Sequence, residues 1–356
     1  MIRILRYIFI GLNIFATTAM LLCAYSVYLH PIHFPNWSWL GMIFPIPLIV
    51  NIAFLVFWLL FGKYKLMLIS AVGMALCAGT IRTFCPINMF QGEPKGRTLK
   101  VLSYNVLNFN KQADENWEEN PIVRYLIDSD ADIICLQEAE QATKEWVKSQ
   151  FEGIYPYISS CNNEISSMVI ISKLPLIDSF PLNIPSEGNH SCAFRLLLEE
   201  DTLLVINNHL ESYKLNDEDK EKYKEIFRDI KNRTQKQQIE ENFDLLEDKL
   251  ASANQIRALQ ADSINNFIEQ TTCKYIISCG DFNDSPISYV HRVMSKHLND
   301  AFTQSGNGLG LSYNKDGMYF RIDNILVSDN MTPYYAKVDD GIAKSDHYPI
   351  FCTLEY

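Results

Sequence analysis

The hydrophobic rhythm of the chain changes once, near residue 85. Ahead of that point lie three nearly unbroken apolar stretches, residues 8–29, 40–61 and 66–81, none holding an Asp, Glu, Lys or Arg. The first two have the ~20-residue length that crosses a hydrocarbon core of ~30 Å, and the third is marginal. Three such runs before a polar domain predict membrane helices in preference to buried helices of a soluble protein. The first run reads as an anchor and not a cleaved signal peptide, because no small-residue cleavage site precedes Pro31 and further apolar runs follow. Pro and Gly then punctuate a linker. The expected division is a membrane region at 1–85, a linker at 86–98 and a globular domain at 99–356.

Past the linker the apolar runs shorten and gain β-branched residues. They predict strands at 99–106, 132–137, 168–172, 193–198, 203–208, 275–279, 323–327 and 347–354. A helix is expected to open near Pro121, a favoured first helical residue, with Ile122, Val123, Leu126 and Ile127 at helical spacing. The charged segment 213–271 carries Phe243, Leu246 and Leu250, then Ile256, Leu259 and Ile264, at helical offsets. It reads as two helices with a solvated outer face. Strands alternating with helices, without internal repeats, predict an α/β fold: a sandwich of two mixed β-sheets flanked by helices.

Charge sharpens the division. The 356 residues carry a net −11, yet residues 1–99 hold seven Lys or Arg against one Glu, a net of +6 that leaves −17 on the remainder. Arg3 and Arg6 precede the first apolar run and Lys63 and Lys65 separate the second from the third, whereas residues 30–36 contain no Lys or Arg. The positive-inside bias then puts the N-terminus in the cytoplasm and, after three crossings, the large domain on the extracytoplasmic side of a multi-pass membrane protein. Arg82, Lys95 and Arg97 oppose that orientation, and a third run that stops short would leave the domain cytoplasmic. Trp37, Trp39 and Trp58, near the run ends, suit interfacial anchors. The nine cysteines show no CxxC or zinc-ligand spacing, and Cys135, Cys279 and Cys352 fall inside apolar strands. They read as structural thiols that leave the redox compartment open.

Candidate chemistry sits at the strand ends, where open sheets place it. Six polar motifs follow apolar runs: Ser103-Tyr104-Asn105, Leu136-Gln137-Glu138, Asn207-Asn208-His209-Leu210, Gly280-Asp281-Phe282-Asn283, Arg321-Ile322-Asp323 and Ser345-Asp346-His347. A hard divalent cation such as Mg²⁺ takes oxygen ligands, chiefly carboxylates. Glu138, Asp281 and Asp346 offer carboxylates, and Asn105 and Asn283 offer amides. His347 with Asp323 has the makings of a base whose tautomer a carboxylate holds. His209 suits phosphoryl binding or protonation of a leaving oxygen. Taken alone, Asn105 or Asn283 is a turn cap, Glu138 is a helix-start acid, and either histidine is an ordinary polar residue. His30, His33, His190, His291 and His297 lack such a context.

In this order, over about residues 99–356, the six motifs resemble the endonuclease/exonuclease/phosphatase superfamily, which includes pancreatic-type DNases, apurinic endonucleases, inositol-polyphosphate phosphatases and neutral sphingomyelinases. The resemblance implies a four-layered α/β sandwich and Mg²⁺-dependent hydrolysis of a phosphoester by direct attack of water, with Mn²⁺ as a substitute ion. It implies Glu138 as the main metal ligand, joined by Asp346 and Asn105. It makes Asp281 and Asn283 the pair that positions nucleophile and phosphate, with Asp323 orienting His347. His209 matches a histidine of the DNase, phosphatase and sphingomyelinase branches. Arg257 and Gln260 resemble a helix beneath the site, Arg257 being either a phosphate contact or a surface salt bridge. The charged stretch 214–256 is longer than a minimal member needs. The expected substrate is a nucleic acid or a lipid or sugar phosphodiester such as a phospholipid head group. The expected partner is the lipid bilayer, through the N-terminal helices, with no protein partner. A net −17 argues against tight binding of long duplexes, and the only compact basic cluster is 231–236. The alternative is a tethered binding or scaffold protein without turnover; that alternative is weakened by the presence of Glu138, Asp281 and His347.

Overall fold

The computed structural model describes residues 2–110, 120–140, 145–162, 167–214, 236–315 and 319–356. The N-terminal region contains α1 (Ile2–Tyr25), α2 (Pro45–Leu60), α3 (Tyr64–Leu76) and α4 (Ala78–Phe84). Among the described residues only the first apolar run forms one straight helix long enough to cross a membrane, Ile4–Tyr28. The other two runs are bent pairs: residues 35–43 with α2, at 48°, and α3 with α4, at 66°. The count is therefore one span, or three if each bent pair serves as one. The second run breaks because it opens in a 3-10 turn, Leu40–Ile43, and α2 starts afresh at Pro45. Polar side chains inside this bundle satisfy one another. Asn13 donates to Ser70 (2.7 Å) and accepts from Trp58 (3.0 Å), and Thr17 donates to Asn51 (2.6 Å). Such interhelical bonds hold apolar helices together where water cannot compete.

The domain contains helices α5 (Pro121–Asp128), α6 (Glu145–Phe151), α7 (Lys236–Gln270), α8 (Tyr289–Met294) and α9 (Ala301–Ser305). Its strands are β1 (Thr98–Asn105), β2 (Ile133–Gln137), β3 (Tyr157–Asn162), β4 (Ser167–Ser172), β5 (Leu176–Pro181), β6 (Ser191–Leu198), β7 (Asp201–His209), β8 (Tyr275–Asp281), β9 (Asn299–Asp300), β10 (Asp323–Val327), β11 (Thr332–Val338) and β12 (Ile350–Glu355). They form two mixed six-stranded sheets, ordered β11-β12-β1-β2-β4-β3 and β5-β6-β7-β8-β10-β9. Val101, Ile133, Cys135 and Ile170 of the first sheet meet Phe194, Val205, Ile277 and Ile325 of the second in the middle of the sandwich. Outside the first sheet, Ile122 and Leu126 of α5 cover Leu102, Ile134 and Leu136. Outside the second, Ala261, Ile264 and Ile268 of α7 and Val290 and Val293 of α8 cover Leu204, Ile206 and Leu326. The inner strands are buried on both faces, which is why they read as continuous apolar runs. This is the expected four-layered sandwich.

Asn120 caps α5, its side chain accepting from the amides of Ile122 (2.9 Å) and Val123 (3.3 Å), so the helix starts at Pro121 as expected. The segment read as two helices is instead one 35-residue helix, α7. No Gly or Pro falls within it, and Ala251, Ala253, Ala258 and Ala261 carry it past the expected break. Residues 215–235, with most of the basic cluster 231–236, lie outside the described residues.

The cysteines are not all free. Cys161 at the end of β3 and Cys192 in β6 form a disulfide that joins the two sheets across 31 residues of sequence, while Cys135, Cys279 and Cys352 are buried thiols as expected. Closing a loop of that length stabilises a fold by about 2–4 kcal/mol. Urea denaturation of the full chain in detergent is expected to show that loss on adding dithiothreitol or in Cys161→Ser. Equal midpoints would show that the bridge contributes nothing.

The helical region and the domain are in contact. Gly41 lies so close to Ile287 that a Cβ would fall 1.6 Å from its carbonyl oxygen. Asn254 donates to Ser38 (2.8 Å), His30 pairs with Asp262 (3.0 Å), and the Arg292 guanidinium stacks on Tyr28 at 4.3 Å. The segment 86–97 is tied down by Asn88, which donates to the Gly306 carbonyl (2.6 Å), and by Gln91, which accepts from the Tyr335 amide (3.0 Å).

Candidate active site

Strand pairing brings the six motifs to one end of the sandwich. β1 and β2 run parallel with Asn105 opposite Gln137, so Glu138 follows directly beyond. β7 and β8 run parallel with His209 opposite Asp281, and β10 runs antiparallel with Asp323 also opposite Asp281. His347 lies three residues ahead of β12. The backbone turns sharply where these strands end, with φ of +51° at Glu138 and +50° at Asn283. Four successive left-handed residues, Leu107 to Asn110, fold back over the β1 end. There the Asn108 amide donates to the Glu138 carbonyl (2.7 Å), and the Leu107 amide donates to the Asn105 side chain (3.2 Å).

The Asn105 side-chain nitrogen donates to both carboxylates that flank it, Glu138 Oε1 at 3.0 Å and Asp281 Oδ2 at 3.3 Å. His209 Nε2 stands 3.7 Å from the same two oxygens. Its backbone amide donates to the His190 carbonyl (3.1 Å), and its Nδ1 has no hydrogen-bond partner among the described residues. On the other side of Asp281, His347 approaches with Nε2 at 3.6 Å, while its Nδ1 is held by Asp323 Oδ2 at 2.8 Å. Asp281 Oδ1 accepts from the Asn283 amide (2.8 Å), and Asn283 donates its side chain to the Leu210 carbonyl (2.9 Å). Asp346 points to the rim, 3.4 Å from Ser345 Oγ and 3.9 Å from Lys315 Nζ.

Burial dominates the electrostatics. It pushes Asp281 up to about 6 and raises Glu138, the latter partly offset by the Asn105 hydrogen bond. Burial lowers His209, so that imidazole is neutral near pH 7. Burial would lower His347 as well, but the Asp323 and Asp281 carboxylates outweigh it and carry it up to about 10. A histidine raised from 6.5 to about 10 adds stability that is complete below pH 6.5 and lost as pH rises through 10. In EDTA, wild-type stability is expected to decline over that window relative to His347→Gln. Parallel profiles would refute the pairing.

Arg257, read as a phosphate contact or a surface salt bridge, is neither at the rim nor on the surface. It is fully buried, stacks on Tyr213 at 4.1 Å, donates to the Glu211 carbonyl (2.7 Å) and to Asn254, and lies 3.6 Å from Asp284. Gln260 accepts from the Glu211 amide (2.9 Å). Together they support the loops after β7 and β8 from beneath. Asn207 belongs to the interior, where it donates to the Leu136 and Val169 carbonyls and accepts from Gln137 (2.6 Å) across the two sheets.

Three residues outside the expected site set contribute, Ser345 among them although it stands in the Ser345-Asp346-His347 motif. The Tyr313 ring stands edge-on to His347 at 5.2 Å. Ser312 accepts from the Ile322 and Asp323 amides, each at 3.0 Å. Ser345 donates to the Asn105 carbonyl (2.8 Å) and so ties the His347 loop to β1. All three sit in irregular loops, where apolar periodicity gives no guide.

Residues 102–347 match the endonuclease/exonuclease/phosphatase family model. The chain belongs to this family. As a member of the endonuclease/exonuclease/phosphatase family it is a hydrolase acting on phosphoester bonds. The family depends on a divalent metal, and in this member Asp281, Asp323 and His347 offer ligand atoms within 4.8 Å of one another. Residues 6–84 match the model of a domain of unknown function. No curated protein matches the chain. Among solved structures, the human Nocturnin catalytic domain with bound sulfate is 15% identical, with 74% of this chain and 96% of that one covered at a TM-score of 0.52. ANGEL2, a 2',3'-cyclic phosphatase, in complex with adenosine-2',3'-vanadate is 13% identical, with 75% and 99% covered at 0.51. A family member from Bacteroides thetaiotaomicron is 16% identical, with 74% and 96% covered at 0.49. At such identities the likeness is one of fold.

Proposed function

We propose that the protein is a membrane-anchored, Mg²⁺-dependent phosphoesterase in which residues 1–85 are the anchor, 86–98 a linker and 99–356 the catalytic domain. The observation that carries this reading is the convergence of Glu138 and Asp281 on Asn105, with the His347–Asp323 pair behind Asp281. The donor set is one of hard oxygens, which suits Mg²⁺, with Mn²⁺ as a substitute. Glu138 and Asp281 would hold the ion, with Asp346 and the Asn105 amide beside them. The ion would polarise the phosphoryl oxygen and neutralise charge developing at phosphorus.

The rest falls to the chain. Asp323 fixes one nitrogen of His347, leaving Nε2 to position water and to take its proton once the negative field of Asp281 is neutralised. Neutral His209, with Asn283, binds the phosphoryl oxygens. Arg257 acts as a positioning residue that keeps the Asp281-to-Asp284 loop seated.

A multi-pass anchor with the domain on the extracytoplasmic side accords with the basic residues around the first two apolar runs. The Cys161–Cys192 disulfide adds support, because such bridges persist in oxidising compartments. The test is hydrolysis by the purified full chain against plasmid DNA, RNA, sphingomyelin, phosphatidylinositol phosphates and bis-p-nitrophenyl phosphate. EDTA is expected to abolish turnover and Mg²⁺ to restore it. Turnover that survives EDTA would overturn the metal assignment.

A further inference from the structure

Between the helical region and the domain lies a cavity of about 230 Å³. Met42, Pro45 and Phe84 line it from the N-terminal side, and Ile287, Leu311 and Phe320 line it from the domain. We propose that this cavity receives one acyl chain of a membrane phospholipid whose phosphoester occupies the active site; the assignment rests on the phosphoesterase reading above and narrows its substrate to a lipid.

Three observations carry it. The first is proximity. Ile287 lies four residues beyond Asn283, and four residues of chain reach at most about 14 Å. On the opposite wall, the Phe320 carbonyl accepts from the Tyr313 amide (2.8 Å), and the Tyr313 ring packs on His347. The cavity and the cluster of carboxylates and histidines therefore share the same two loops.

The second is continuity with the apolar surface of the helical region. Ile287 belongs to one apolar cluster with Met20, Phe44 and Leu48 of the N-terminal region, and Ile46 and Ile49 on the first turns of α2 are exposed apolar side chains. With the helical region in a bilayer, a lipid beside α2 would reach the cavity along this apolar surface. The volume is smaller than the ~300–1,000 Å³ of a drug-sized pocket and takes in a segment of an acyl chain.

The third is an orphaned donor. Arg321 lines the same cavity and is buried, with one nitrogen bonded to the Thr83 carbonyl and another 3.4 Å from the Leu309 carbonyl, but its Nε has no acceptor among the described residues. A buried donor left unpaired costs free energy; the nitrogen is closed off in this conformation, and a turn of the guanidinium toward the cavity would let the ester carbonyl at the head of an acyl chain satisfy it.

The probe is lysophosphatidylcholine with a diazirine on its acyl chain, irradiated with the full chain in lipid nanodiscs and mapped by peptide mass spectrometry. Labelling is expected at Met42, Leu311 and Phe320, and to be competed by unlabelled lysophosphatidylcholine. Leu311→Trp and, from the opposite wall, Met42→Trp are each expected to lose most of that labelling while melting as the wild type does. In the same variants KM for a lipid phosphoester rises, whereas turnover of bis-p-nitrophenyl phosphate holds. Labelling confined to the exposed faces of α1–α3, or unchanged by both variants, would overturn the proposal. Because labelling needs no turnover, a labelled cavity in a protein inert toward every phosphoester would leave the acyl site standing and refute only the catalytic reading.

Discussion

His347→Ala is expected to lower metal-dependent hydrolysis by about 10²–10⁴, the range that a positioned acid or base contributes. The imidazole is the only described side chain that touches both Asp281 (3.6 Å) and Asp323 (2.8 Å). Its removal takes away the proposed proton acceptor and releases the carboxylate that holds it. A second effect runs alongside. Asp323 is completely buried, its other carboxylate oxygen already lacks a partner, and Ala would leave the whole group unpaired in the interior. Removing one member of a buried pair costs about 3–5 kcal/mol, so activity must be compared at a temperature where both proteins are folded. Glu138→Ala separates the two effects, because Glu138 is part-exposed and its loss strips a proposed metal carboxylate at little cost to the fold. Both variants should lose most of their activity, but only His347→Ala should melt markedly earlier. A folded His347→Ala protein with wild-type kcat would refute the proposed role.

Gly280→Ala is expected to have the largest effect on folding of any single methyl added to this chain outside its helical region. Gly280 precedes Asp281 in β8 with φ of +128°, a conformation that L side chains rarely adopt. The added Cβ would meet the Asn208 carbonyl oxygen at 2.0 Å and the Asn208 amide nitrogen at 2.8 Å. Both belong to the neighbouring parallel strand and cannot rotate away, as the tip of a side chain could. Strain at such a position and separation of β7 from β8 add, so a loss above about 4 kcal/mol is expected, the range reserved for severe lesions. Urea denaturation measures it. A loss under 1 kcal/mol would show that the two strands can part without harm. Because β7 ends at His209 and β8 at Asp281, any protein that does fold should also lose activity.

What the sequence revealed and what it hid follow burial. The eight expected strands are inner strands or their direct partners, whose apolar runs reflect contact on two faces. The four it did not reveal, β3, β5, β9 and β11, are the four sheet edges. Edge strands carry mixed polarity, and β11 contains Pro333 and a register shift between Tyr334 and Lys337, so neither alternation nor an apolar run marks them. The polar motifs were legible because each adjoins a buried run, four of them ending β1, β2, β7 and β8 and two leading into β10 and β12, and all of Asn105, Glu138, His209, Asp281, Asn283, Asp323 and His347 meet at one end. Arg257 was misread because buried and exposed arginines look alike in a helical pattern. The Cys161–Cys192 bridge was hidden because its halves are 31 residues apart, one of them on an edge strand.

The site residues come from separate sheets. Asn105 and Glu138 extend from one, His209, Asp281 and Asp323 from the other, and the Gln137–Asn207 hydrogen bond spans the gap between them at 2.6 Å. Neither sheet alone holds a working fraction of the centre. A chain with a single sheet formed lacks part of the set, so hydrolysis is expected only once the two halves have closed on each other. Turnover is thus a direct gauge of how well the sandwich is seated, and small slips between the sheets should register in rate before they register in melting.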